Sequence, residues 1–358
     1  MIGIIFAGNI EYCPYLDKYT NLIKKSNDVY EVLYWNRDLL INNSKHKSRS
    51  FDYKMDNSKP KHLKIIDFFR YRNWLVNQIE NYKYKKIIIL ETLSGILIKS
   101  YLTKKYAGNF IFDIRDYSYE SNKLFYKLES EIIKNSFFTC ISSEGFKEFL
   151  PKKYDYILAH NFSYNDAIRK NNDFKKKIYG EKINIVWIGS VRYFNHQIKI
   201  INKLKNDERF NIIFHGTGPD LDRLMSYCGM NKVQNIVFTG RYDNNEKKIL
   251  LENADILLNS YDVNIGKEVL YAISNKVYDG IIYKIPQIVE YGTYKHELVK
   301  KFKIGVGLDV GIDSFSDELY NYYFGIDEEN FNQTCENELR KILCEDKEYI
   351  QRIKEFLN

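Results

Sequence analysis

Short runs of Ile, Val, Leu and Phe alternate with longer helical patterns along most of the chain, and that rhythm dictates βα units built on parallel sheets. A parallel strand is covered by helices on both faces, so it reads as a continuous apolar run rather than an alternating one. Such runs fall in the first half at Ile2–Ala7, Val29–Trp35, Lys86–Glu91, Phe110–Ile114, Phe137–Ile141 and Tyr156–Leu158. The second half restarts the pattern at Ile183–Ile188, Phe210–Phe214, Asn235–Thr239, Asp255–Leu258, Gln287–Val289 and Gly305–Leu308. Strands stop after Asp309, and Glu329–Leu357 reads as helical. The chain has 358 residues, which suits two cores of about 150 residues each. The expectation is an α/β protein with two doubly wound domains, over 1–165 and 183–328. A polar linker over 166–182 joins them, and C-terminal helices over 329–358 pack across the domain junction. Tyr164–Glu181 reads as a solvated connector, and the polar Ile41–Lys61 segment, with Asn42, Asn43, Lys45, Lys47 and Lys59, as a mobile loop.

Composition removes several classes. Lys and Arg number 54 against 47 Asp and Glu, a net charge of +7, too small an excess to call for nucleic acid. The five cysteines, Cys13, Cys140, Cys228, Cys335 and Cys344, form no CxxC pair, which fits reduced thiols in a cytoplasmic protein without a zinc site. His196, His215 and His296 show no metal-ligand spacing, so no metal is expected, and the lone His160 reads as structural rather than catalytic. Apolar runs such as Lys86–Leu90 are far below the roughly 20 residues that span a bilayer. Met1–Phe6 carries no basic flank or cleavage signal, so the chain is expected to start at Met1 in the cytoplasm.

Three strands of the second half end in small or basic residues. Ile183–Ile188 runs into Gly189-Ser190-Val191-Arg192, Phe210–Phe214 into His215-Gly216-Thr217-Gly218-Pro219, and the third into Gly240-Arg241-Tyr242. Glycine after a strand lets backbone amides approach a phosphate, a cation just beyond can neutralise it, and open α/β sheets bind ligands at these strand ends. Further on, Lys276 and Asp279 are three apart on a helix and share a face, so one can meet a phosphate while the other accepts sugar hydroxyls.

These pieces, in this order, with Asn253-Ala254-Asp255-Ile256 and with Ser274-Asn275-Lys276-Val277-Tyr278-Asp279 followed by Pro286, resemble the GT-B glycosyltransferases, and within them glycosyltransferase family 4. The resemblance covers essentially the whole chain. It implies two Rossmann-like domains facing across a cleft, with a nucleotide sugar, most simply a UDP-sugar, as co-substrate in the C-terminal domain and no bound cofactor. Arg192 then neutralises the departing diphosphate with help from Lys276, and Asp279, seven residues before Pro286, holds the ribose. Amides near Gly189 and Ser190 face the phosphates, Gly240 and Arg241 lie near the base, and Gly216, Gly218 and Asn275 complete the donor set. One position departs from the family: the Glu expected eight residues before Asp279 is Tyr271, with Glu268 or Asn264 as substitutes. Retention of configuration, which the resemblance implies, is in doubt there.

In the N-terminal domain the resemblance places Gly8 where substrate approaches closely. The strand ending Asp113-Ile114-Arg115-Asp116 stands where the family has His-Asp. Arginine stays protonated and cannot be a general base, so Asp116, Asp113 or Glu120 must serve if a base is needed, with Asp113, Arg115 and Glu120 on the acceptor side. A buried ion cluster is the alternative reading. Lys61–Val76 mixes apolar and basic residues at roughly helical spacing, which suits either a core-facing helix or docking on the inner face of a membrane. The function expected is transfer of a sugar from a nucleotide sugar to a saccharide or polyprenyl-linked acceptor in bacterial surface polysaccharide (capsule or lipopolysaccharide) assembly. A nucleotide-sugar 2-epimerase or a non-catalytic scaffold on the same fold are the alternatives. A dinucleotide-dependent dehydrogenase fits less well, because no GxGxxG follows the first strand.

Overall fold

A computed structural model of the chain describes residues 1–41, 44–56, 58, 60–169 and 171–358, with the backbone alone for Lys61, His62 and Leu63. It divides into two compact units: Met1–His160 with Cys344–Asn358, and Asn161–Leu343.

The first unit is built on seven parallel strands: β1 (Ile2–Phe6), β2 (Tyr30–Asn36), β3 (Ser48–Asp52), β4 (Lys86–Leu90), β5 (Phe110–Ile114), β6 (Phe138–Ile141) and β7 (Ile157–Leu158). Their order is β3-β2-β1-β4-β5-β6-β7. Every residue of β1, β2 and β5 is buried, which is why those strands read as unbroken apolar runs. One core cluster joins Ile2, Ile4, Val32, Ile88 and Ile111 to Tyr349, Ile353 and Phe356 of the C-terminal helix Glu328–Leu357.

The second unit holds six parallel strands: β8 (Ile183–Ile188), β9 (Phe210–His215), β10 (Ile236–Gly240), β11 (Ile256–Asn259), β12 (Gln287–Glu290) and β13 (Gly305–Leu308). They run in the order β10-β9-β8-β11-β12-β13. In each sheet the chain winds outward one way, returns and winds outward the other. The switch points therefore lie between β1 and β4 and between β8 and β11, where open α/β sheets take their ligands.

Two expectations fail. Part of the Ile41–Lys61 loop is strand β3, paired with β2 from Val32↔Ser48 to Asn36↔Asp52. It is an edge strand of sequence Ser-Arg-Ser-Phe-Asp, and the polar residues that keep such an edge soluble also hide its strand character. Asn42, Asn43 and Lys59 lie outside the described residues. The Tyr164–Glu181 connector is not wholly solvated either: Ala167 and Phe174 belong to the second core. The Phe174 ring meets Tyr323 and Phe331, and its N–H donates to Asn332 Oδ1 at 2.8 Å.

One charged pair is locked inside the first unit. Asp113 on β5 is fully buried and accepts from Tyr19 Oη at 2.8 Å and from Arg115 Nη2 at 2.7 Å. Arg115 also donates to the Ala159 carbonyl at 2.7 Å and lies 4.2 Å from the Tyr15 ring centre. Removing one partner leaves a buried charge uncompensated, whereas replacing both with apolar groups does not. Asp113→Ala is expected to lower stability by about 3–5 kcal/mol in urea unfolding, and Asp113→Leu with Arg115→Met by much less.

Candidate functional site

The β8/β11 switch point gathers most of the residues expected to bind a donor. Ile188 of β8 is followed by Gly189, with φ +110°, and by Ser190 and Arg192 before the helix Phe194–Leu204. Arg192 is exposed, and its Nε donates to Ser190 Oγ at 3.3 Å. Across the switch point β11 continues into Ser260 and Tyr261. Ser260 Oγ is 2.8 Å from His196 Nε2, and burial pushes that imidazole down to about 4, so His196 is neutral at physiological pH.

The helix Asn275–Ile282 brings Lys276 and Asp279 to the same place. They expose only 7% and 6% of their surfaces. Lys276 Nζ donates to Tyr261 Oη at 2.9 Å and sits 3.7 Å from the centre of the Trp187 ring. Burial lowers its pKa from 10.5 to about 7; Asp279 and Glu290 oppose the shift, and Arg192 and Lys247 add to it. Arg192 is thus close enough for Lys276 to feel its charge. Asp279 Oδ1 accepts from Lys247 Nζ at 2.6 Å, while burial pushes the carboxyl upward against that pull. Among the described residues neither Arg192 nor Lys276 is in an ion pair with a carboxylate. Asn275, exposed in the first turn, accepts at Oδ1 from Asn161 Nδ2 at 3.0 Å.

Beneath these residues lies a polar layer that sequence reasoning missed. Lys295 Nζ pairs with Glu290 Oε2 at 2.9 Å, donates to the Asn259 carbonyl at 2.7 Å and lies 4.2 Å from the Tyr261 ring centre. Tyr261 N–H donates to Glu290 Oε2 at 3.0 Å, and Asn259 Nδ2 to Gln287 Oε1 at 2.9 Å. This network holds Tyr261, and so the partner of Lys276. The signal that could have found it is strand order: once β11 is known to lie beside β8 and β12, residues 259–261 and 290 fall at the crevice.

The glycines divide by role. Gly189 gives its N–H to the His215 carbonyl at 2.9 Å, so that amide belongs to the sheet and does not face a phosphate. A Cβ on Gly216, where φ is +131°, would come within 2.0 Å of the Gly189 carbonyl oxygen, and one on Gly218 within 2.2 Å of the Val191 oxygen. Both let the loops after β8 and β9 interlock. Gly240, with φ +78°, has open space before it, and Arg241 beyond it is exposed.

In the other positions considered, Tyr271 and Glu268 lie on the short helix Lys267–Tyr271, and Asn264 Nδ2 donates to Asp262 Oδ1 at 3.0 Å. In the first unit Gly8 and Asp116 follow β1 and β5, and Asp116 is exposed. Asp113 and Arg115 direct their polar atoms inward at each other and are not presented to an acceptor. Glu120 is buried and accepts from Ser118 N–H at 2.7 Å. His160 is buried, 2.8 Å from Glu345 Oε2. Among the described residues no cluster of His, Cys, Asp or Glu has the makings of a metal site.

No protein-family model matches the sequence, and no curated protein matches it. Solved structures do. The lipopolysaccharide outer core galactosyltransferase WaaB superposes with a TM-score of 0.63 at 13% identity, over 94% of each chain. HepE from Anabaena in complex with UDP gives 0.67 at 10% identity over 99% of each chain. The N-terminal domain of a Candida albicans trehalose-6-phosphate phosphatase gives 0.68 at 11% identity, over 100% of this chain and 99% of that one. At such identities the likeness shows the fold: two Rossmann-like parallel sheets of the GT-B type.

The glycine geometry makes a testable contrast. Gly216→Ala is expected to cost more than about 2 kcal/mol in urea unfolding, because backbone cannot move aside and φ is unsuitable. Gly240→Ala, with room for the methyl, is expected to cost only about 1 kcal/mol.

Proposed function

We propose that the protein is a glycosyltransferase, moving a sugar from a nucleotide sugar, with a UDP-sugar as first candidate, to a saccharide acceptor in assembly of a bacterial surface polysaccharide. The observation that carries this reading is the pair Arg192 and Lys276 at the β8/β11 switch point, two basic side chains that have no ion pair with a carboxylate among the described residues. A diphosphate is the ligand that such a pair lacks. As the glycosidic bond breaks, negative charge grows on the leaving diphosphate, and cations already fixed in place stabilise it without reorganising. In this reading Asp279 accepts the ribose hydroxyls, exchanging its contact with Lys247 for them, and the base lies by Gly240 and Arg241. Fold neighbours support the reading: one is a lipopolysaccharide outer core galactosyltransferase, and another was solved in complex with UDP.

A lipid-linked acceptor and attachment to the inner membrane surface are part of the proposal. No described helix is long and apolar enough to cross a membrane. The helix Lys61–Tyr82 nevertheless exposes Ile65, Ile66 and Phe69 by 52%, 52% and 57% beside Arg70, while Asp67 is buried. Apolar side chains facing outward next to cations suit an anionic lipid surface.

A panel of UDP-sugars is expected to raise the melting temperature selectively, since a ligand of the native state alone stabilises it. Arg192→Ala is then expected to lower turnover of the stabilising donor by roughly 10²-fold or more; an unchanged rate removes Arg192 from the site.

Lys276 gives a second test. An anion beside it favours the ammonium form, so its pKa rises from about 7 toward the ordinary value and a proton is taken up on binding. Calorimetry of UDP binding at about pH 8, in buffers of different ionisation enthalpy, is expected to show uptake approaching one proton, because the free amine is mostly neutral there. Lys276→Met is expected to abolish the uptake.

A further inference from the structure

The sheet of the second unit ends at β13, and no described strand pairs with its outer edge. Gln287 N–H donates to the Ile304 carbonyl at 3.2 Å, and the parallel register runs from Gln287↔Gly305 to Glu290↔Leu308. In a parallel ladder every second residue bonds a given neighbour, so Ile304, Val306 and Leu308 turn to β12. Gly305 and Gly307 therefore direct their N–H and C=O groups outward. Unpaired groups of this kind are a template for another extended chain.

This edge lies in a cleft of about 610 Å³ that His296, Lys300, Lys303, Tyr322 and Phe331 also line. One wall is the helix Tyr294–Lys301, packed on the face of the sheet to which Gly305 and Gly307 belong. A Cβ on Gly307 would come within 2.1 Å of His296 Cδ2, and one on Gly305 within 3.1 Å of Val299 Cβ. The other wall is formed where the helices Phe315–Phe324 and Glu328–Leu357 follow one another. Strands wound outward in opposite directions carry their helices on opposite faces, and the helix Phe315–Phe324 lies beside Phe194–Leu204, on the face away from Tyr294–Lys301. Val306, alternating with the two glycines, points to that second face.

The two walls differ in chemistry. On the first, the helix closes with Lys303 in the left-handed region at φ +53°, its N–H donating to the Lys300 carbonyl at 3.2 Å. That turn brings Lys300 and Lys303 to the cleft, both exposed, and among the described residues neither is in an ion pair with a carboxylate. His296 is buried, exposing 6% of its surface. Its Nδ1 accepts from Gly292 N–H at 3.3 Å, so the neutral ring carries its proton on Nε2, which has no hydrogen-bond partner among the described residues. A buried donor is thus left over in the cleft. The second wall is mostly apolar, with Val306, Tyr322, Ile326 and Phe331, and Asp327 beside them is engaged by Asn330 N–H at 3.1 Å.

We propose that β13 takes up an extended segment of a partner protein as a seventh strand of its sheet, a segment in which acidic and apolar residues alternate. Successive side chains of a strand point to opposite faces, so one set meets Lys300, Lys303 and His296 while the other meets Val306, Tyr322 and Phe331. The backbone of the segment supplies the partners that Gly305 and Gly307 lack. Main-chain pairing gives such an added strand its affinity, and the two walls give it a sequence preference. A second copy of this chain suits the edge less well: its own β13 lies between the same two walls, so two such edges cannot close on each other.

The test uses the full chain and a fluorescein-labelled hexapeptide amide of alternating Glu and Val. Fluorescence anisotropy is expected to show saturable binding, weakened by roughly 10-fold or more in the double variant Lys300→Glu with Lys303→Glu. Lys301→Glu, an exposed position on the same helix outside the cleft, is expected to change it little, and matching melting temperatures show that the variants fold. The fully N-methylated peptide keeps every side chain but loses every N–H donor, and a peptide alternating Lys and Val reverses the charge; neither is expected to bind. Hydrogen–deuterium exchange at Gly305 and Gly307 is expected to slow when the Glu–Val peptide is added. Equal binding of the N-methylated peptide, undiminished binding by the double variant, or unchanged exchange at both glycines overturns the proposal. So does the absence of saturable binding at millimolar peptide. Protection of the two glycines that rises with protein concentration in the absence of peptide overturns it in favour of a second copy of the chain at the edge.

Discussion

The buried Lys276 amine, which among the described residues has no ion pair with a carboxylate, is the constraint around which the second unit is arranged. Taking Lys276 out of water disfavours its charge, and what holds it there is the Trp187 ring below and the Tyr261 hydroxyl beside it. Tyr261 is fixed in turn by Glu290, and Glu290 by Lys295. The carboxylates nearby are engaged with other lysines. The surroundings thus leave Lys276 poised between its charged and neutral forms, and an incoming anion changes that balance. Arg192, exposed and always charged, attracts the same anion from the solvent side. One group supplies permanent charge and the other a charge that appears with the ligand.

The first unit handles charge differently. Asp113 and Arg115, which the sequence resemblance puts on the acceptor side, satisfy one another in the core and join the ends of β5 and β7 through the Ala159 carbonyl. Among the described residues at these strand ends, Asp116 is exposed while Asp113 and Arg115 are buried.

How much could be read beforehand depended on whether a signal was local. Strands such as β1 and β5 are buried on both faces, so Ile2–Phe6 and Phe110–Ile114 announce themselves in composition. β3 has no such coverage, and its polar residues resemble a loop. Phe174 is one aromatic in a polar run, and nothing local tells that it reaches Tyr323 and Phe331. Gly189, Arg192, Lys276 and Asp279 were readable because glycine and charge at strand ends or along a helix face carry meaning over a few residues. Tyr261, Glu290 and Lys295 were not, because their roles exist only once β11 and β12 are neighbours. Gly216 and Gly218 were recognisable as special, but the reason, close packing against the Gly189 and Val191 backbone, is a tertiary one.

The strand ends of the second unit are proposed to hold a nucleoside diphosphate. Hydrogen–deuterium exchange with and without UDP tests it residue by residue. Slowed exchange is expected, confined to the Gly189–Arg192 turn, the Gly240–Arg241 loop and the first turn of the helix Asn275–Ile282. Protection elsewhere with those segments unchanged, or no protection at saturating UDP, would contradict it.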